Sequence, residues 1–450
     1  MREFRIPYGK GDICCEIPEE RLLGVLRSGI TDYRPEGTPD ELTERAMACS
    51  IASPSLCELA KGKKKVVLIA SDHTRPVPSR VIVPKMLREI RKGNPEAEIT
   101  ILIATGCHRG TTAEELTAKF GEEIARNEHI VVHDCDKSEM VRLGVLPSGQ
   151  PLIVNRLAAD ADLLVAEGFI EPHFFAGYSG GRKSVLPGVV AREVVLGNHN
   201  GAFIEDPHSR TGVLEGNRIH EDMLYAAKTV GLAYIVNVVL NAEHEVIYAV
   251  AGDVEKAHEA GCAFLASHCC VGLPEAEESA SGNHENPDTA DCGAGAAGGR
   301  FADIVITSNG GYPLDQNVYQ AVKGMTAAEA AVRPGGVIIM VSKCADGCGG
   351  DVFYRTFKEN KDPAALIREF VATPAANTKI DQWQSQIFAR VLCRASVIFI
   401  SDMPDDIVRN FHMIPAGSVE EALRTADQIL GRRDGTITVI PDGVGVYVKN

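Results

Sequence analysis

The sequence predicts an α/β protein with two α/β domains, and three observations support this fold class. Short β-branched runs alternate with helical patterns, which is typical of parallel strands joined by crossover helices. The length of 450 residues exceeds what one hydrophobic core holds, at about 150 residues per domain. Hydrophobic residues make up 45% and charged residues 24% of the chain, which is ordinary globular usage. We therefore expect a folded protein with at least two cores.

The charge of the chain argues against several classes of partner, and its N-terminus and cysteine content indicate its compartment. The chain has 46 basic and 61 acidic residues, giving a net charge of −15, and its one strong basic run, at 61–65, directly precedes an apolar stretch. We therefore expect neither nucleic acid nor an anionic membrane as a partner. The N-terminus has no apolar signal core, and the 13 scattered cysteines favour reduced thiols. The cytoplasm is the expected compartment.

The first predicted domain covers residues 1–268. Apolar runs predict strands at 66–70, 99–104, 130–132 and 163–165, and helical patterns predict helices at 79–92, from a capped start at 111–115, and at 254–268. The runs at 234–239 and 245–250 predict a hairpin that closes the domain.

A flexible linker or insertion is predicted at 269–300, followed by a second domain at 301–450. Residues 273–300 are rich in Gly, Ala, Ser, Glu and Asp and contain almost no large apolar side chain to form a core. In the second domain we predict strands at 302–306, 337–341, 397–400 and 436–440, and helices at 326–332 and from Ser418 onward. The pattern leaves open which domain holds the final helix and strand.

Polar, chemically capable residues follow several of these strands directly. They occupy the segments 71–78, 105–110, 167–173 and 308–320. Ligands of open α/β sheets bind beyond the carboxyl ends of the strands, so we expect these segments to converge on a cleft between the domains. His108 and His173 both lie just past predicted strands. Two imidazoles suit a reaction that exchanges a hydroxyl proton on either face of a carbon.

The segment 174–188 is the densest in glycine and basic residues. Its glycines allow backbone amides to approach an anion, and Arg182 and Lys183 add positive charge at an expected helix start, so a phosphate-bearing ligand is predicted. The spacing matches neither the Walker pattern nor the dinucleotide pattern. The alternative is a tight turn with a surface lysine. His199 is a further candidate ligand for a soft metal.

Several of these motifs together resemble the nickel-pincer lactate racemase family. The resemblance covers most of the chain, in the same order, and rests on 72–75, 106–109, 171–183, Tyr319, Gln320, Lys323 and Trp383. It implies two α/β domains with the site between them, and a nickel ion held by pyridinium-3,5-bisthiocarboxylic acid mononucleotide. The implied reaction racemises or epimerises a small-molecule 2-hydroxy acid by reversible hydride transfer. Cofactor-synthesis and nickel-insertion proteins are the implied partners.

The resemblance also implies a role for each matching residue. Lys183 would carry the cofactor link, His199 would bind nickel, and His108 and His173 would be the acid/base pair. The residues implied to contact substrate are Arg75, Tyr319, Gln320, Lys323 and Trp383. The residues implied to complete the cofactor site are Asp72, Ser179, Gly180, Gly181 and Arg182.

Departures from the family pattern and alternative functions limit these implications. Cys107 and Gly110 flank His108 where the family pattern has a bulkier apolar residue and a proline, so the identity of the 2-hydroxy acid is open. One alternative is a nickel or cofactor carrier without turnover, which would need neither His108 nor His173. A second alternative is racemisation without a cofactor, which the weak acidity of the α-hydrogen disfavours.

Overall fold

The computed structural model describes residues 1–274 and 300–449. The greater part of the predicted linker at 269–300 lies outside the described residues. No helix in the described part of the chain is both long enough and apolar enough to cross a membrane.

Strands and helices alternate along most of the chain. The strands are β1 (Arg2–Tyr8), β2 (Gly11–Ile17), β3 (Leu22–Val25), β4 (Lys65–Ser71), β5 (Glu98–Ala104), β6 (His129–Val132), β7 (Met140–Val145), β8 (Pro151–Asn155), β9 (Leu163–Phe169), β10 (Pro172–His173), β11 (Gly177–Tyr178), β12 (Leu232–Leu240), β13 (Val246–Gly252), β14 (Cys270–Gly272), β15 (Ala302–Ser308), β16 (Val332–Val341), β17 (Ala395–Ile400), β18 (Ile414–Ala416), β19 (Ile437–Ile440) and β20 (Tyr447–Lys449). The α-helices are α1 (Pro39–Ala48), α2 (Leu56–Ala60), α3 (Ser79–Gly93), α4 (Ala113–Phe120), α5 (Glu122–Asn127), α6 (Arg156–Ala159), α7 (Arg192–Asn198), α8 (Gly201–Glu205), α9 (Arg218–Thr229), α10 (Lys256–Cys269), α11 (Val318–Ala331), α12 (Asp351–Glu359), α13 (Pro363–Ala372), α14 (Gln382–Arg394), α15 (Asp405–Asn410) and α16 (Val419–Leu430).

The N-terminal unit comprises residues 29–268 and 370–380. Its six-stranded sheet has the order β13-β12-β9-β4-β5-β6, and only the edge strand β13 runs antiparallel to its neighbour. The chain leaves β4 toward β5 on one side and later returns to β9 on the other. The carboxyl ends of β4 and β9 therefore form a switch point, which is where open α/β sheets bind ligands.

Local sequence signals account for the elements around this switch point. β4 has five consecutive buried residues, as its apolar run predicts. α4 begins with the predicted capping box, in which Thr112 and Glu115 satisfy each other's backbone N–H groups. The predicted hairpin is the antiparallel pair β12 and β13. These predictions are confirmed.

The C-terminal unit comprises, among the described residues, 1–28, 269–274, 300–369 and 381–449. Its six-stranded sheet is parallel throughout, with the order β18-β17-β16-β15-β19-β3. The predicted boundary assigned 1–28 to the first domain, and the structure differs because β3 pairs with β19 and because Phe4 and Ile6 pack into the same core as Ile304 and Ile339. The final strand, which the sequence left open, lies in this unit.

Helix α11 begins eight residues before the predicted start at 326. Asn317 is its N-cap, and the Asn317 side chain accepts a hydrogen bond from the backbone N–H of Gln320 at 3.0 Å. Tyr319, Gln320 and Lys323 therefore lie on a helix. The sequence had placed the first two in the polar segment 308–320 that follows a strand. The cap was missed because Asn317 stands within a polar run.

Candidate active site

His108 is oriented by a buried carboxylate. Asp72 follows β4 and His108 follows β5, and these strands are neighbours in the sheet. His108 Nδ1 lies 2.7 Å from Asp72 Oδ2, where the Asp72 side chain is 1% exposed and the His108 side chain 44%. Nδ1–H donates to the carboxylate, so in the neutral ring Nε2 is the nitrogen that accepts a proton.

Asp72 remains ionised despite its burial. Burial raises the pKa of the Asp72 carboxyl group, but hydrogen bonds from His108 and Thr74 outweigh this effect and bring the pKa to about 2. The Thr74 hydroxyl and backbone N–H donate to Asp72 Oδ1 at 2.6 and 3.0 Å. A carboxylate held in this way can stabilise an imidazolium on His108.

His173 lies beside Lys183. It ends the short strand β10, and its Nε2 is 3.3 Å from Lys183 Nζ. The Ala176 N–H donates to His173 Nδ1 at 3.3 Å, so the proton of the neutral ring is on Nε2. Phe174 stacks on the ring and Phe175 meets it edge-on, at 5.1 and 4.5 Å between centroids. The two candidate acid/base histidines thus have different, fixed partners.

Burial disfavours the charged forms of Lys183 and His199. It lowers the pKa of the Lys183 amine well below the usual range, and the charges of Arg182 and Arg75 act in the same direction. His199, at the end of α7, is 4% exposed and meets Phe175 edge-on at 5.0 Å between ring centroids. Burial, together with the charge of Lys183, lowers the pKa of His199 to about 3. A neutral amine is a nucleophile, and a neutral imidazole is a metal ligand.

The turn before Lys183 requires glycine at 180 and 181. Gly180 has φ of +76° and Gly181 has φ of +52°. A Cβ atom on Gly180 would lie 2.7 Å from Asn237 Oδ1 and 2.8 Å from the Phe169 carbonyl oxygen, and one on Gly181 would lie 2.8 Å from the His258 ring. The Gly181 N–H donates to Asn237 Oδ1 at 2.7 Å, so this amide binds the protein and is not directed at an anion.

The buried side chain of Arg182 stabilises this turn from the protein interior. Its side chain is fully buried, and the guanidinium donates to the Ala176 carbonyl oxygen at 2.7 Å and to His220 Nδ1 at 3.0 Å. It also lies 2.8 Å from His258 Nε2. These contacts point the guanidinium into the protein, and a contribution of the Arg182 charge to a bound phosphate stays a prediction.

The Ser179 side chain also stabilises the turn by hydrogen bonds. Its hydroxyl donates to the Phe169 carbonyl oxygen at 3.0 Å and accepts from the Glu171 N–H at 2.9 Å. The segment Gly181–Ser184 is a single 3-10 turn, not the start of the α-helix that the sequence predicted. Direct contact of Ser179, Gly180 or Gly181 with a cofactor stays a prediction, whereas presentation of Lys183 by the turn follows from these contacts.

The remaining candidate residues lie in the C-terminal unit. Tyr319 on α11 donates its hydroxyl hydrogen bond to Asp381 Oδ1 at 2.8 Å, and Asp381 directly precedes α14, which carries Trp383. α11 and α14 pack against each other. The structure therefore groups Tyr319 with the start of α14, and Gln320 and Lys323 lie on the first two turns of α11. Their contact with substrate stays a prediction.

Sequence reasoning missed several polar residues that support the site. These are Lys119, Asn237, His220 and His258, together with Glu167, which it noted only as part of a strand-end segment. Glu167 and Asn237 are buried polar residues within the otherwise apolar strands β9 and β12. A single polar residue within a buried strand is the signal that could have identified both.

A doubly wound sheet with basic and nucleophilic side chains gathered at its carboxyl edge defines an α/β enzyme that acts on a small molecule. The domain families described as lactate racemase N-terminal domain and lactate racemase C-terminal domain match residues 8–212 and 298–448. The chain therefore belongs to the lactate racemase family and is a racemase, an enzyme of the isomerase class.

Full-length relatives and a solved structure agree with this assignment. The chain is 49% identical to the lactate racemase of Thermoanaerobacterium thermosaccharolyticum and 47% identical to that of Lactiplantibacillus plantarum, each time over all of both chains. It resembles the structure of the T. thermosaccharolyticum lactate racemase apoprotein with a TM-score of 0.90 and 48% identity, covering all of both chains. A Thermotoga maritima structure at 20% identity, with a TM-score of 0.62 over 93% of this chain and 100% of its own, shares the fold. Dependence on nickel is a property of the family.

Proposed function

We propose that the chain interconverts the two enantiomers of lactate or of a closely related 2-hydroxy monocarboxylate. The observation that carries this proposal is the pair of imidazoles at one edge of the sheet. His108 is held by Asp72, and His173 lies beside Lys183. The names of the full-length relatives support lactate as the substrate.

The residues around Lys183 suit the nickel-pincer nucleotide of the family. Lys183 would carry pyridinium-3,5-bisthiocarboxylic acid mononucleotide through a thioamide link at Nζ, and His199 would coordinate nickel through an imidazole nitrogen. The lowered pKa values of both groups support this assignment, because acylation requires a free amine and coordination a neutral ring. When bound, this group would supply a site that accepts the α-hydrogen of the substrate as hydride and returns it. Proteins that make the cofactor and insert nickel would act before this enzyme.

The two histidines would exchange the hydroxyl proton of the substrate. Nε2 of His108 would accept this proton from one enantiomer, and the Asp72 carboxylate would stabilise the imidazolium that forms. His173 would accept the hydroxyl proton of the other enantiomer, whose hydroxyl group points to the opposite side. To accept it at Nε2, the ring must carry its own proton on Nδ1, in place of the contact with the Ala176 N–H. The 2-oxo acid between the two transfers is planar at its reacting carbon. Two bases with separate partners therefore suit a reaction that returns the hydrogen to either face.

A guanidinium is available for the substrate carboxylate. Arg75 is exposed, three residues after Asp72 in the loop between β4 and α3. Its planar fork matches a carboxylate in bidentate geometry. We propose that Arg75 binds the carboxylate and that Lys323 stabilises the oxygen that becomes a carbonyl, with Tyr319, Gln320 and Trp383 as further substrate contacts. One carboxylate-binding cation favours a monocarboxylate over a dicarboxylate.

Alanine replacement of each histidine tests the acid/base assignment. His108→Ala and His173→Ala are each expected to lower the rate of lactate racemisation by roughly a hundredfold to ten-thousandfold, the usual contribution of a positioned acid/base group. Nickel content should stay near that of the wild type, since neither residue is assigned to the metal. The measurement is chiral chromatography of lactate, paired with metal analysis of the same samples.

His129→Ala is the matched control, because His129 is an exposed histidine at the opposite end of the same sheet, where it contacts Thr100. It should retain wild-type turnover. Turnover near the wild-type level in either active-site variant would remove that histidine from the mechanism.

A further inference from the structure

Glu167 joins the two ends of the loop that carries Asp72 and Arg75. It lies on β9 and is 1% exposed. Its Oε1 accepts hydrogen bonds from the Ser71 N–H at 3.0 Å, from the Ser71 hydroxyl at 2.9 Å and from the Ser79 hydroxyl at 3.0 Å. Ser71 ends β4 and Ser79 begins α3. One carboxylate oxygen therefore fixes both ends of the intervening loop to the neighbouring strand.

The second oxygen of Glu167 faces a different environment. Oε2 is buried and has no hydrogen-bond partner among the described residues. A buried carboxylate oxygen without a hydrogen bond is costly unless a nearby cation offsets its charge.

Lys119 is a charged neighbour of this carboxylate but forms no ion pair with it. It lies near the end of α4, and burial lowers the pKa of its amine, while the charges of Glu167 and Asp72 raise it and the charge of Arg75 lowers it further. Glu167 is the strongest of these charged neighbours. In the described part of the chain no carboxylate lies within ion-pair distance of the Lys119 ammonium, so the interaction acts at longer range.

We propose that Glu167 is a positioning residue for the Asp72–His108 pair. The pair lies on two loops, after β4 and after β5, and only the loop after β4 is fastened to β9 by a charged group. Fastening this loop fixes Asp72, and Asp72 in turn fixes the ring of His108. The inference rests on the proposed acid/base role of His108.

Glu167→Gln is the direct test, because the amide keeps the shape and one acceptor oxygen but loses the charge. Hydrogen bonds to a charged acceptor are about twice as strong as those to a neutral one. With lactate as substrate, we expect kcat to fall roughly tenfold, KM to change less than about twofold, and nickel content to stay unchanged, since proton transfer depends on the position of the base. Ser79→Ala removes one of the three hydrogen bonds to Glu167 Oε1. It should lower kcat in the same direction and provides a second test if Glu167→Gln folds poorly.

A double-variant cycle separates positioning from a general structural effect. In the Asp72→Asn background, Glu167→Gln should lower kcat by less than about twofold, because the group through which it acts is already altered. Asp162→Asn is the matched control: its carboxylate accepts from the Lys64 and Lys65 N–H groups at 3.0 and 2.8 Å, at the other end of β4. This control should leave kcat unchanged.

Two results would overturn the positioning role while leaving the proposed function intact. One is wild-type kcat in both Glu167→Gln and Ser79→Ala when His108→Ala is inactive. The other is a full, multiplicative effect of Glu167→Gln in the Asp72→Asn background. Retained turnover in His108→Ala would instead contradict the proposed function itself.

Discussion

Burial sets the protonation states of the individual side chains at the site. It lowers the pKa of Lys183 well below its usual range, that of His199 to about 3 and that of Arg182 to about 10. Asp72 is also buried but keeps its charge, because it accepts hydrogen bonds from His108 and Thr74. The site thus combines bases of lowered pKa with one stable carboxylate, which is the combination that proton exchange and cofactor attachment require.

The lowered pKa of Asp72 predicts a pH-dependent contribution to stability. The pKa falls from 3.8 to about 2 on folding, which corresponds to about 2 kcal/mol of stabilisation. Because the folded value is the lower one, this contribution is present above the unfolded pKa and is lost as pH falls toward the folded pKa. Urea unfolding of the wild type and Asp72→Asn should therefore differ most at neutral pH and least near pH 3.

The exposed residue Asp160 provides the control for this measurement. Asp160→Asn should change the free energy of unfolding by no more than about 0.5 kcal/mol at any pH. A difference between the wild type and Asp72→Asn that is constant from neutral pH to pH 3 would show that the charge of Asp72 contributes nothing to folding.

Individual elements were predictable where the signal was local. The strand at 66–70 follows from an apolar run, and the start of α4 follows from Thr112 and Glu115 three residues apart. The placement of 1–28 was not predictable, because β3 pairs with β19 across more than four hundred residues of sequence. The same reason applies to the turn at 180–184, whose geometry depends on Asn237 and His258 from distant segments. His108 and His173 were found because each closely follows a strand.

The glycine turn before Lys183 predicts an unequal response to alanine. Gly180→Ala combines a positive φ with Cβ contacts below 3 Å to Asn237 and Phe169, so it should lower the free energy of unfolding by at least about 2 kcal/mol and reduce cofactor content. Gly231→Ala is the matched control: φ is +81°, but nothing lies within 4 Å of the added Cβ. Its cost should be about 1 kcal/mol, with cofactor content unchanged. If urea unfolding shows that Gly180→Ala and Gly231→Ala lower the free energy of unfolding equally, the packing argument is contradicted.

At the scale of the whole molecule, the candidate functions are divided between the two units, each with its own six-stranded sheet. The N-terminal unit holds His108, His173, Lys183 and His199, and the C-terminal unit holds the four predicted substrate contacts on α11 and α14. The match to the N-terminal domain family ends at residue 212, and the match to the C-terminal domain family begins at residue 298. The sequence predicted two α/β domains and assigned all of the first 268 residues to the first one. In the structure, the first strands of the chain belong to the core of the C-terminal unit.

The intact mass of the racemising enzyme tests the central claim most directly. Protein made in a host that synthesises the cofactor, and shown to racemise lactate, should carry added mass that maps to Lys183, with nickel bound. Lys183→Ala from the same host should have the mass of its own sequence and no activity. Wild-type protein that racemises lactate while its mass equals that of its sequence would contradict the covalent link to Lys183, and the same result without nickel would contradict the cofactor assignment altogether.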